Sequence, residues 1–202
     1  KAVGGGPPAP AGASVIDLSG STVLPGLFDC HTHLLSTWNP KTGHDPRAEV
    51  LQSTSVRTLR GVVNARGMLE AGFTTVRDVG NAPDYADTSL RLAIDSGWVV
   101  GPNIIGAGKI IAPFGGQWRT WPGRPDIFDT EYFYADTRDE MKKAVRENVY
   151  FGAKVIKIVV GGFGFRYSAE DVKYLVGEAA ASGLPVAAHW DSDAGARNAI
   201  LG

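Results

Sequence analysis

The chain has 202 residues, a formal net charge of -1, 44% hydrophobic residues and 20% charged ones, the balance of an ordinary globular domain. Near-neutral charge gives no electrostatic basis for nucleic acid or an anionic membrane as partner, and no apolar run approaches the roughly 20 residues that span a bilayer. The single cysteine, Cys30, forms no internal disulfide, so nothing calls for an oxidising compartment and the cytoplasm is the expected location. The opening Lys1-Ala2-Val3-Gly4 reads as the interior of a longer protein, which leaves room for a signal peptide upstream.

Residues 4–12 are Gly, Pro and Ala with little to bury, and read as a linker. Val15-Ile16-Asp17-Leu18, then Ser19-Gly20, then Thr22-Val23-Leu24 reads as a strand, a turn and a second short strand. After Pro25-Gly26 short apolar runs alternate with helical stretches. Strands are predicted at 27–31, 73–78, 103–106, 155–160 and 185–189, and helices at about 47–71, 85–96, 137–151, 168–182 and 193–201. Thr137 before Asp139 and Glu140 has N-cap chemistry, and Ser168 with Asp171 has capping-box spacing. Gly72, Gly97, Gly152 and Gly183 each follow a predicted helix end, where a left-handed residue is wanted. Alternation with short links implies parallel strands joined by right-handed crossovers. Five such units are visible; a doubly wound sheet can stop at five, whereas a (β/α)8 barrel needs about 250 residues.

Three patterns carry chemistry. In Asp29-Cys30-His31-Thr32-His33, strand alternation sends His31 and His33 to one face, where two imidazoles chelate a metal; Cys30 faces the other way. A bare His-x-His is more often a packed or exposed pair, but this one ends the first apolar strand of a β/α series, where barrel active sites gather. In Lys154-Val155-Ile156-Lys157-Ile158-Val159-Val160, Lys157 is set among Val and Ile, a costly place for an ammonium. Either Lys157 snorkels to the strand end, or it points inward as a neutral amine that takes up carbon dioxide as a metal-bridging carbamate. Lys154, at the strand's entry, is expected in solvent. A further strand ends in His189. Three of the four histidines thus sit at strand ends, and the fourth, His44, lies in a Gly-Asp-Pro loop and reads as solvated.

Together with Gly72-Phe73-Thr74-Thr75-Val76-Arg77-Asp78 and Gly161-Gly162, these motifs occur in the order and spacing of the amidohydrolase superfamily. The chain is most similar to its prolidase-like branch of Xaa-Pro dipeptidases, related carboxypeptidases and imidazolonepropionase relatives. The resemblance implies a TIM (β/α)8 barrel of the metal-dependent hydrolase type, α/β in class, with about the first five β/α units in residues 25–202. It implies that residues 1–24 belong to a small β-sandwich. It also implies two divalent metals, zinc by default, with His31 and His33 on one, His189 on the other and a carboxylated lysine at Lys157 between them. Relatives add a histidine from strand six and a proton-transferring aspartate from strand eight, both beyond Gly202. Lys157 and His189 are thereby the expected catalytic residues. The chain departs from relatives at His189-Trp190-Asp191, where His-Ala-His or His-Ala-Tyr is common, and at Gly115-Gly116-Gln117, where Gly-Gly-His is common.

The activity implied is hydrolysis of an amide or peptide-like C–N bond by a metal-bridging hydroxide. The segment 108–135 is predicted to be a long loop over the catalytic face, and Gln117, Trp118, Arg119 and Trp121 are its substrate candidates, with Arg166 and Tyr167 after the Gly161-Gly162 turn. Aromatic walls with arginines suit a dipeptide or N-acyl amino acid; the same aromatics equally suit anchoring of the loop or an oligomer interface. Three other readings stand beside this one. A mononuclear deaminase of the same superfamily generally lacks the lysine, and a phosphotriesterase-like activity shares the metal pattern. A non-catalytic fragment would expose a strand edge and pair with another chain. Besides a small-molecule substrate, the expected partner is a second copy of the chain or the C-terminal part of the same enzyme.

Overall fold

The computed structural model describes residues 8–38, 41, 43–162 and 164–202. β1 (Leu27–Thr32) is followed by α1 (Pro46–Val50) and α2 (Thr54–Glu70), and β2 (Phe73–Asp78) by α3 (Ala86–Asp95). β3 (Asn103–Gly106) leads into β4 (Ile110–Ala112), then come β5 (Tyr132–Tyr134), α4 (Arg138–Tyr150), β6 (Ile156–Val159), α5 (Ala169–Ala180), β7 (Val186–His189) and α6 (Asp193–Leu201). Every strand pairing is parallel, in two sheets of order β1-β2-β3 and β5-β4-β6-β7. The sheets meet where β3 bends into β4. There Ala107 N–H donates to Asp78 O at 3.0 Å and Lys154 N–H to Gly106 O at 2.8 Å. Fully buried Asp87 accepts the Gly108 N–H at 2.8 Å and fixes the bend. β1, β2 and β3 are neighbours in chain order, as are β4, β6 and β7 with β5 on the other side of β4, and the parallel pairing is that of an α/β fold of repeated β/α units.

Caps fix the helices that cover this sheet. Thr137 and Glu140 form a reciprocal capping box before α4, and Ser168 and Asp171 form another before α5. Ile156 and Ile158 of β6 pack on Met141, Ala144 and Val145 of α4 and on Val172 and Leu175 of α5. Alternation then turns Lys157 and Val159 to the opposite face, where Val159 packs with Ile110, Ala112, Phe128 and Tyr132. A separate cluster of Val76, Ile104, Ala65, Ala86 and Leu90 joins β2 and β3 to α2 and α3.

Three expectations are corrected. Residues 15–18 and 22–24 form no strand: only the turn is made, with Ser21 N–H donating to Leu18 O at 2.8 Å, because no neighbouring strand pairs with them among the described residues. The helix predicted at 47–71 is two helices, since Ser53 takes an extended conformation (ψ 149) and its hydroxyl caps α2 at Val56. The segment 108–135 is not one loop. Its ends are β4 and β5, paired through Ile110–Tyr132, Ile111–Phe133 and Ala112–Tyr134. Residues 4–7 of the predicted linker lie outside the described residues; residues 8–12 carry neither helix nor strand.

Candidate metal-binding site

The end of β1 brings His31 and His33 together, with ring centroids 5.2 Å apart and planes at 68°. Each is placed by its surroundings. Asp29 Oδ1 accepts the His31 N–H at 2.9 Å, and Asp78 Oδ1 accepts the Leu34 N–H at 3.1 Å, just past His33. The His33 Nδ1–H donates to Gly80 O at 3.1 Å, which leaves Nε2 as its lone-pair nitrogen. In the next sheet, Lys157 pairs with Ala187 and Val159 with His189. Residues paired across parallel strands share a face, so Lys157 and His189 point the same way.

All four side chains line one cavity of about 240 Å³, completed by His44, Asn81, Ile110, Gln117 and Trp118. Its electrostatics favour neutral nitrogen donors. Burial holds His33 down at about 4, helped by His31, Lys157 and His44 and opposed by the Gly80 hydrogen bond. His31 is lowered by burial and then by Lys157, His189 and Arg77, and His189 by burial and Lys157. Lys157 is 3% exposed, and burial with the nearby Arg77 guanidinium brings its amine down to about 8. An appreciable fraction is then uncharged near neutrality, the form that reacts with carbon dioxide. Among the described residues no three His, Cys, Asp or Glu side chains form a cluster ready to hold a metal. What the cavity gathers is the imidazoles of His31, His33, His44 and His189 and the amine of Lys157 along its walls.

The substrate candidates separate. Gln117 and Trp118 line the cavity. Arg119 is exposed and faces a different depression with Phe114, Thr120 and Phe165. Trp121 stacks under the Arg47 guanidinium at 5.3 Å, and Arg166 is exposed in an antiparallel bridge to Gly161; neither lines the cavity. Tyr167 is corrected to a core residue: it is 3% exposed and its hydroxyl donates to Ala135 O at 2.7 Å. Sequence reasoning missed three cavity residues, the apolar Ile110 and two polar ones. Asn81 gave no signal beyond a turn, whereas His44 belonged to a set of only four histidines and was set aside for its loop.

The model of the amidohydrolase family matches residues 22–201. The chain belongs to that family. Ochratoxinase from Aspergillus niger is 30% identical over 205 residues, an alignment that takes in 88% of this chain and 41% of that enzyme. A crystal structure of an amidohydrolase superposes with a TM-score of 0.80 at 30% identity, covering 96% of this chain and 50% of the other. A Xaa-Pro dipeptidase with methionine in its active site gives 0.71 at 28% identity, covering 87% and 45%. This chain thus spans about half the length of the amidohydrolases it matches.

Proposed function

We propose that this chain carries the metal-binding part of a hydrolase that cleaves an amide or peptide-like C–N bond, in a dipeptide or an N-acyl amino acid. The observation that carries this reading is the convergence of His31, His33, Lys157 and His189 on one cavity. The family's hydrolases, among them an ochratoxinase and a Xaa-Pro dipeptidase, support the class of reaction. The donor set suits divalent ions, zinc by default: His31 and His33 would hold one, His189 the other, and Lys157 as its carbamate would lie between. Such ions supply an activated water and polarise the scissile carbonyl. The protein's own groups set the conditions for that chemistry. Gly80 fixes the His33 tautomer, burial keeps the imidazoles neutral, and Gln117 and Trp118 shape the substrate wall.

The same reading makes residues 25–202 the first five units of a (β/α)8 barrel and residues 1–24 part of a small β-sandwich. Exposed Val15, Ile16, Val23, Leu24 and Phe28 support it, since apolar faces of this kind are covered by further strands of the same enzyme or by a second copy. Lys157→Ala in the full-length protein is expected to lower bound metal from two ions per chain. Amide hydrolysis should fall by more than the roughly 10–100-fold that losses even outside the ligand shell cost. Metal content by plasma mass spectrometry and turnover of an N-acyl amino acid check both. Full activity without any added short-chain carboxylate would remove Lys157 from the mechanism.

A further inference from the structure

The histidine cavity has a neighbour. His33 and His44 also wall a second chamber of about 250 Å³, against about 240 Å³ for the cavity itself, and Ser36, Thr37 and Trp38 complete it. Two shared side chains make the chambers adjacent across one partition. A wider depression over α2, with Val63, Gly67 and Met68 in its lining, shares only His33 with the histidine cavity. The partition is held from behind. His44 Nε2 lies 3.2 Å from Glu49 Oε2, and buried Glu49 has Arg57 and Arg60 each 3.7 Å from a carboxylate oxygen. One indole lines each chamber: Trp118 the first, edge-on to His44 with centroids 6.4 Å apart, and Trp38 the second.

The polar groups of the loop that forms the second chamber are already engaged elsewhere. The Thr37 backbone N–H and hydroxyl both donate to Glu49 Oε1, the hydroxyl at 2.6 Å. The Ser36 N–H donates to His33 O at 3.1 Å, Ser36 O accepts from Asn64 Nδ2 at 3.1 Å, and Ser36 Oγ is closed off from solvent. The Trp38 indole and the two imidazoles are left as the chamber's main surfaces. Trp38 is 76% exposed, and the backbone of Gly43 passes beside its ring, where an added Cβ would lie 3.8 Å away. A large ring kept in water at the mouth of a small chamber, with no hydrogen-bonding group left to face it, suits an apolar ligand group.

We infer that the second chamber is a substrate subsite, with Trp38 its specificity-determining residue, and that it takes a ring-sized apolar group next to the scissile amide. This rests on the amide-hydrolase reading above and narrows it. With the scissile carbonyl in the histidine cavity, an apolar group on the adjoining residue passes the His33–His44 partition and lies on the indole. A methyl group leaves the chamber to water; a benzyl group fills it and covers Trp38. The preferred compounds are therefore amides of aromatic or large apolar residues rather than of glycine or alanine. Secondary and proline-type amides fit alike, since the chamber meets the side group and not the amide nitrogen.

The test uses two pairs of compounds. N-acetylalanine against N-acetylphenylalanine puts the ring on the amine side, and N-acetylglycine against N-phenylacetylglycine puts it on the acyl side. Calorimetric binding and kcat/KM are measured on the full-length, metal-loaded protein. In one pair the unsubstituted protein should prefer the ring compound by about tenfold or more, the low end of what an apolar pocket achieves. Trp38→Ala should remove most of that preference, mainly through KM. Trp38→Phe keeps a ring, should retain most of it, and guards against a folding defect in the first variant. A preference of unchanged size in Trp38→Ala overturns the inference, as does a protein that prefers the ring compound in neither pair or binds none of the four. Hydrolysis that proceeds with no such dependence on Trp38 overturns it and leaves the hydrolase reading intact. A binding preference that Trp38→Ala removes, with no compound hydrolysed, supports the subsite and instead sinks the hydrolase reading.

Discussion

Asp78 ends β2 with no exposed surface, and only one of its oxygens is engaged, accepting the Leu34 N–H; Oδ2 has no partner. Burial, reinforced by the neighbouring Asp87 carboxylate, raises its pKa well above the ordinary aspartate value, against the pull of the Leu34 hydrogen bond. The sign of the consequence follows from proton linkage. A carboxyl raised in the folded state binds more protons there than in the unfolded chain, so its stabilising contribution is complete below the unfolded value of about 3.9. That contribution is lost as pH rises toward the folded value. Asp78→Asn keeps the Oδ1 acceptor for Leu34 and has no proton to lose. Its stability relative to the unsubstituted protein should therefore improve with pH from about 4 upward, by at most about 1.4 kcal/mol per pH unit. Denaturant unfolding at a series of pH values checks this; a difference independent of pH would mean that Asp78 is not the group held protonated.

The elements that shape the cavity wall meet through backbone rather than side chains. A Cβ on Gly162, after β6, would lie 1.7 Å from Gly116 O, in the turn that presents Gln117 and Trp118. Gly162→Ala must push that turn aside, and overpacking of this kind costs about 1–3 kcal/mol. Gly67 in α2 has nothing within 4 Å of an added Cβ, so Gly67→Ala should stabilise by about 0.5–1 kcal/mol. Thermal unfolding of the two variants should move in opposite directions, and equal shifts would refute the contact between the loops. Strands 73–78 and 103–106 and helix 193–201 were legible to the residue because apolar spacing and flanking turn residues agreed. β4 and β5 were not, since three-residue strands carry too little period to stand out, and it is pairing to each other and to β6 that buries them. Residues 15–24 have strand-like spacing, but no strand among the described residues pairs with them, and propensity alone does not make a strand. Lys157 could be found because a lysine among Val and Ile asks for a reason. His44 could not, because its Gly-Asp-Pro surroundings signal a loop and its partner Glu49 sits on a helix whose packing the local sequence does not reveal.

At the scale of the whole molecule, one side chain joins parts far apart in the sequence. Arg57 in α2 is 1% exposed and reaches Glu49 of α1, the Asn81 carbonyl after β2 and Glu131 just before β5. Two residues that line the cavity, His44 through Glu49 and Asn81 directly, hang on this one guanidinium. Removing one member of a buried pair strands the other, at about 3–5 kcal/mol, whereas replacing both by apolar groups can be nearly neutral. Arg57→Met should therefore destabilise strongly, and Arg57→Met with Glu131→Leu should regain much of the loss. Burial already raises Glu131, with Arg57 the main force opposing it. Without Arg57 the carboxyl is raised further, and a raised carboxyl loses its stabilising contribution as pH rises. The deficit of Arg57→Met should thus be larger at about pH 8 than at about pH 5. Chemical denaturation of the single and double variants at both pH values separates the possibilities. A deficit that neither shrinks with acid nor recovers in the double variant would assign Arg57 to packing alone. A deficit that does both would make it the charge on which this side of the cavity is assembled.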